Sequence, residues 1–392
     1  MNYFHHFFLV GSLGLLEDWA ARIAALQRTT KPKASEVACL IFAADHGVAK
    51  DKTEGGMNCS AYPQIVSRKV LEGLDAGIAG ASGEPNISLQ ILAVIHFSFA
   101  LSQTILRLIP WFCSVLSKCN NVALRVIDVG LADGQTEHQW SGNVVRSSEF
   151  KVRGGTSNFC TGNAMTGEEV EQCISVGRNE TGKIMNETGA SVIVFGEVGI
   201  GNTTTSSALI AALTGAELES MCGSGASTSR DGINDEIVSR KIAILKEAMQ
   251  YHGASNMLGK PKNALKFVGG AEITAIIGGM LEASDRDVPI LVDGFIVTTA
   301  AMIACELDPA VCRVLLFATQ STEKGQEIAL DAIASFAKNN DIPHVASPAL
   351  NMNLRMGEAT GALAAVPLVR SACAIMSELA TLDEVLGLEA KS

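Results

Sequence analysis

The chain has 392 residues, 47% of them hydrophobic and 5% aromatic, with 37 glycines and a formal net charge of −11. Its pI near 5.2, with no basic run, argues against a nucleic-acid surface. No Pro/Ser-rich linker, charge block or long repeat divides it, so one large α/β core is the simpler organisation.

The ten cysteines, Cys39, Cys59, Cys160, Cys222 and Cys373 among them, form no C-x-x-C pair and stand at no zinc spacing from a His. Reduced core thiols in a reducing compartment are expected, with no metal site and no cofactor.

The opening "MNYFHHFFLV" is too short for a secretory signal and lacks its basic start. A strand is predicted over 37–45, "VACLIFAAD", and a helix over 61–80. Residues 87–106, "ISLQILAVIHFSFALSQTIL", carry no formal charge unless His96 is protonated, and are about long enough to cross a bilayer. A spanning helix would be awkward inside a parallel sheet, so a buried or partly disordered insertion is the preferred reading. Strands follow at 122–130 ("VALRVIDVG"), 191–197 ("SVIVFGE"), 288–294 ("VPILVDG") and 314–319 ("VLLFAT"), with helical stretches at 167–187, 235–252 and 271–283. The strands are continuously apolar rather than alternating, as expected when both faces are covered. Strand–helix–strand rhythm means right-handed crossovers and a doubly wound, mainly parallel sheet with helices on both faces.

Polar residues gather at one edge of that sheet. Asp45 with His46, Asp128, Glu197 and Asp293 each close a predicted strand with a glycine nearby, on the edge where open α/β sheets bind ligands. Taken singly, each Asp is as well explained as a cap of the next helix. After the strand at 191–197 comes "GEVGIGNTTT" (196–205), a glycine-rich loop opening a helix, which suits a phosphate. The lysine of a P-loop is missing.

Four stretches together resemble the nicotinate-nucleotide–dimethylbenzimidazole phosphoribosyltransferase family: "AADHGVAKD…NCSAYPQIVS" (43–67), "GEVGIGNTTTSSAL" (196–209), "VPILVDGFIVTTAA" (288–301) and "NLRMGEATGALAAVPL" (353–368). Segments 11–27, 151–169 and 268–284 extend the likeness to nearly the whole chain, apart from 1–10 and about 84–120. The resemblance implies a Rossmann-like α/β domain over 30–345, and a small helical domain from the termini, 1–29 and 346–392. It implies transfer of a 5-phosphoribosyl group from nicotinate mononucleotide to 5,6-dimethylbenzimidazole in cobalamin nucleotide assembly, by a cytoplasmic homodimer.

Site roles follow from the same resemblance. Glu358, in "RMGEATGA", is implied as the general base; on its own, this carboxylate is better explained as a partner for a helix dipole. Glu197 is the second family carboxylate, and Asp293 joins the substrate set. Gly199, Gly201, Asn202, Thr203 and Thr204 match the loop that holds the 5-phosphate, with Lys241 neutralising it; on spacing alone Lys241 is equally a solvated helix lysine. Ser60, Tyr62 and Gln64 match the base pocket, with Met356 as its apolar wall. His46 is read as structural. Gly201→Val is expected to weaken the donor selectively, and a chain lacking 86–119 to stay soluble and folded.

The chain also departs from the family. Thr319 and Gln326 stand where two His are usual, and "CGSGASTSRDG" (222–232) differs from the usual G-T-G-L-D pattern. These changes prompt a rival reading, a silent relative that binds azoles or nucleotides without turnover. The apolar run prompts another, a membrane-associated protein. A nucleotide hydrolase is weakest, because the Walker lysine is absent.

Overall fold

The computed structural model describes residues 11–60, 62–79, 112–132, 144–146, 154–223, 235–343 and 346–379. The N-terminal decapeptide, the run 87–106 and most of the loop 222–232 lie outside them.

β1 (Val37–Ala44) is eight uncharged residues, and all are buried. A strand with no solvent face belongs inside a sheet covered on both sides. It pairs with β2 (Ala123–Gly130) on one flank and β4 (Val192–Val198) on the other. With β3 (Val144–Arg146), β5 (Ile290–Val292) and β6 (Leu315–Phe317) the order is β3-β2-β1-β4-β5-β6, and every pairing is parallel. β3 was not anticipated, because three residues give no periodic signal. β5 and β6 are also only three residues long, shorter than the apolar runs that announced them.

The described helices are α1 (Leu15–Gln27), α2 (Ile65–Ala79), α3 (Phe112–Cys119), α4 (Gly167–Thr188), α5 (Asn202–Thr214), α6 (Asp235–His252), α7 (Pro261–Val268), α8 (Ala271–Asp285), α9 (Phe295–Leu307), α10 (Gly325–Asn339) and α11 (Thr360–Glu378). Local chemistry sets several of these bounds. Thr166 and Glu169 form a reciprocal capping box at the start of α4, and Gly189 ends it in the left-handed conformation. α8 and α9 are buried almost all round, which their Ala, Ile, Thr and Val content permits.

The pleat of β1 divides the core between two layers. Leu40 and Phe42 face α4 to α10, whereas Cys39 and Ile41 face α1, α2, α3 and α11. Nine of the ten cysteines are buried thiols, and Cys119 is exposed. α11 is apolar and long enough to cross a membrane, yet half of that stretch is buried against the sheet and its neighbours.

The expected insertion at 84–120 extends too far. α3 belongs to the core: Cys113, Ser114 and Ser117 are buried, and the Asn120 amide donates to Leu363 O in α11 at 3.1 Å. Arg370 of α11 returns bonds to Asn120 O (2.7 Å) and Ala34 O (3.2 Å), tying α3 to the approach of β1. Hydrogen bonds from a charged donor contribute about 1.5–3 kcal/mol. Removing 86–119 therefore takes away core as well as insert. Deletion of 112–119 should abolish the single cooperative unfolding transition in urea; an unchanged transition would place α3 outside the core.

Candidate active site

The strand order changes direction between β1 and β4, and a ligand crevice is expected outside their carboxyl ends. A cavity of about 480 Å³ opens there, within the range of small-molecule sites.

The turn after β4 forms one wall. Gly199, Gly201, Asn202, Thr203 and Thr204 all line the cavity, where α5 begins. Thr205 N, bonded to Gly201 O, is the first intrahelical donor, so the Thr203 and Thr204 amides before it have no intrahelical acceptor. Lys241, buried in α6, donates from Nζ to Thr203 Oγ1 (2.9 Å) and Gly223 O (3.1 Å). The Thr204 hydroxyl is buried beside the Cys59 thiol. Amides, hydroxyls and one lysine thus gather at a helix start with no carboxylate bonded to them among the described residues, an arrangement that suits an anion.

Gly201 has φ 107°, and a Cβ there would lie 2.9 Å from His46 Cβ and 3.0 Å from Ala49 Cβ. Its missing side chain makes room for the β1 loop rather than for a ligand. The expectation of a selective donor defect in Gly201→Val is replaced by a general loss of stability.

Carboxylates line the same cavity. Glu358 and Ala359 both have left-handed backbone, φ 60° and 63°, just before α11. Glu358, itself buried, lines the cavity and accepts from Cys113 Sγ at 3.8 Å. Glu197 accepts from the Asn202 side-chain amide and from the Glu358 backbone amide. Burial first, then the charges of Glu272, Glu358 and Asp293, push the Glu197 carboxyl well above the usual range. Asp293 is pushed up to about 6 by burial, against bonds from Ala362, Gly294, Gly361 and Ala359 amides. It touches the cavity, but its Oδ1 receives the Ala362 amide at 2.9 Å and so anchors the start of α11.

Ser60, Tyr62 and Met356 also line the cavity. Gln64, expected beside them, is absent from the wall; its amide donates to His46 O at 2.8 Å and fixes the β1 loop. The remaining edge residues are structural. Asp45 accepts from Ser67 Oγ (2.6 Å), Ala132 N (2.9 Å) and Ile200 N (3.4 Å), joining three loops. His46 is held between Glu272 Oε1 (2.7 Å) and Thr205 Oγ1 (2.8 Å). Asp128 closes its own turn through Gly130 N and Leu131 N.

Thr319 lines the cavity, and Gln326 lies buried behind it, bonded to Thr319 O, Thr298 Oγ1 and Ser321 N. The pair that departs from the family pattern is therefore fully accommodated. Phe112 and Val66 also line the cavity and were missed. Phe112 fell inside the segment read as inserted; the helical "FCSVLSKC" was the available signal.

Residues 9–83 and 112–385 match the model of a family described as phosphoribosyltransferase, and the unmatched stretch ends where α3 begins. A nicotinate-nucleotide–dimethylbenzimidazole phosphoribosyltransferase of Pseudomonas putida is 33% identical over 95% of this chain and 89% of its own. The enzyme of that name from a Bradyrhizobium species is 34% identical, over 97% and 91%. A crystal structure of the Thermus thermophilus enzyme superposes with TM-score 0.76 and 28% identity, over 99% of this chain and 96% of that one. Fold and matches together define a phosphoribosyltransferase. More narrowly, the chain belongs to the nicotinate-nucleotide–dimethylbenzimidazole phosphoribosyltransferase family.

The buried acids predict a pH dependence. Asp293 holds its proton up to about pH 6 when folded, but loses it near its ordinary value when unfolded. Between these values unfolding releases a proton, so rising pH favours unfolding. Relative to Asp293→Asn, the parent should lose stability as pH rises from about 4 to about 6, by at most about 3 kcal/mol. Urea midpoints across that range check it; a parent that gains on the variant contradicts the assignment.

Proposed function

We propose that the protein moves the 5-phosphoribosyl group of nicotinate mononucleotide to 5,6-dimethylbenzimidazole, giving α-ribazole 5′-phosphate and nicotinate, in assembly of the lower nucleotide of cobalamin. The observation that carries this reading is one cavity lined both by an anion site at the start of α5 and by a buried carboxylate, Glu358.

The Thr203 and Thr204 amides, the hydroxyls of both residues and Lys241 Nζ receive the donor's 5-phosphate. The ribose then reaches toward the carboxylate wall. Nicotinate in the donor is a pyridinium, so cleavage of the glycosidic bond returns the electron pair to its nitrogen and removes the positive charge. No acid is required for that departure. A benzimidazole nitrogen attacks the same carbon and becomes positive, while the other ring nitrogen gives its proton to Glu358. A positioned base of this kind contributes about 10²–10⁴-fold. Holding both substrates in line supplies much of the remainder.

Tyr62, Met356 and Phe112 offer flat and polarisable surface for a dimethylated bicycle, and Ser60 a hydroxyl for orientation. On this reading the terminal helices α1 and α11 present the base, and the sheet-centred part of the chain holds the donor. Tyr62 and Phe112 line the cavity yet are 43% and 41% exposed, with Ile65 and Val115 exposed close by in α2 and α3. That apolar surface supports a homodimer as the working assembly, and a monomer in sedimentation at micromolar concentration would remove it.

Glu358→Gln keeps the shape of the side chain and loses the proton acceptor. It should lower kcat by about 10²–10⁴ with nicotinate mononucleotide binding retained; product chromatography and calorimetry report the two separately, and near-parental kcat would take Glu358 out of the mechanism. Lys241→Ala should act on the donor instead. Loss of its charged hydrogen bond should raise KM for nicotinate mononucleotide by about 10- to 100-fold. An unchanged donor KM would move the phosphate elsewhere.

A further inference from the structure

Asn202 opens the proposed phosphate helix, but its side chain does not face the proposed phosphate position. Its amide is bonded to Glu197 Oε2. The other oxygen, Oε1, lies against the Gly357–Glu358 backbone so closely that a Cβ on Gly357 would collide with it. The Glu358 amide donates to the same carboxyl. One buried group therefore has one oxygen on the donor loop and the other on the turn that carries Glu358.

That turn is strained. Two consecutive residues with side chains, Glu358 and Ala359, occupy the left-handed region, which disfavours any Cβ. Such strain persists only where the surroundings over-determine it. The determinants visible here are Glu197, bonded to the Glu358 amide, on one side and Asp293, bonded to the Ala359 and Ala362 amides, on the other. Asp293 holds Ala359 and the helix start, whereas Glu197 holds the amide of Glu358, the residue that the reaction uses.

We infer that Asn202, acting through Glu197, is a positioning residue for Glu358: it fixes the carboxyl that holds the Glu358 turn and thereby links the donor loop to the base. The link runs from the first residue of α5 to the last loop before α11, two segments about 150 residues apart in the chain that meet only at the switch point. A shift of about 1 Å in a catalytic group can cost on the order of 100-fold in rate, so a small slackening of this turn is measurable. The inference rests on Glu358 being the base. Titratable and charged groups around the link are Glu272 in α8, Asp293 after β5 and Cys113 in α3, with Arg355 and Lys241 on the cavity wall.

The test uses the full-length protein and steady-state turnover of nicotinate mononucleotide with dimethylbenzimidazole, alongside Glu358→Gln as reference. Asn202→Ala should lower kcat by about tenfold, because the base is misplaced rather than removed, with less than about a threefold change in donor KM. Asn202→Asp puts two carboxyls in contact, which stay bonded only while they share a proton. Its kcat, relative to the parent, should recover as pH is lowered and fall as pH rises. A raised donor KM with parental kcat would make Asn202 a phosphate ligand and overturn the link. Parental kinetics in Asn202→Ala, or a pH-independent kcat ratio in Asn202→Asp, would overturn it too. If Asn202→Ala fails to unfold cooperatively, the pH ratio of Asn202→Asp decides alone. Normal turnover of Glu358→Gln defeats the base reading instead, whereas slow Glu358→Gln beside parental Asn202 variants defeats only the link.

Discussion

Asp45, Glu197 and Asp293 close three neighbouring strands, all buried, and each is met by N–H and O–H donors rather than by a cation among the described residues. A buried carboxyl without donors costs several kcal/mol, so the loops that supply those donors are not free to move. Asp45 recruits the loops after β2 and β4 together with α2, Glu197 the starts of α5 and of the α11 turn, and Asp293 the first amides of α11. The site is shaped by this satisfaction of buried acids. The same burial holds the carboxyls of Asp45 and Asp293 up at about 6.

The division of labour between acids follows from their neighbours. Asp45 has all its bonds inside the scaffold and does not line the cavity. Glu358 sits on the cavity wall in a strained turn, a conformation that proteins keep where position matters more than local stability. Glu197 stands between the two roles, bonded to the donor loop and to the turn at once.

Sequence patterns made the parallel sheet legible because β1 and β4 are long, uncharged over most of their length and wholly buried, a signature with few alternatives. Helices α4, α6 and α8 fell close to their predicted ranges for similar reasons of periodicity and capping. β3 and α3 were not legible. One is three residues long, and the other follows an apolar run that hid its start. Among the site residues, the glycine–threonine loop and "RMGEATGA" could be read as a unit, since their chemistry is local in the chain.

Side-chain direction is another matter. Nothing in "GNTTT" says that Asn202 turns to a carboxyl while Thr203 turns to a lysine, or that Gln64 serves the His46 carbonyl rather than the pocket. Nor does a glycine reveal whether its empty side faces a ligand or, as at Gly201, the flank of His46. The chain by itself determined the strands, the edge on which the acids gather and the segments that compose the site, because these depend on burial and periodicity along the sequence. Which acid faces solvent space, which is sealed by donors, and which loops share one carboxyl were decided only when segments far apart in the chain met at the β1–β4 crevice, because a hydrogen-bond partner is a property of position in space.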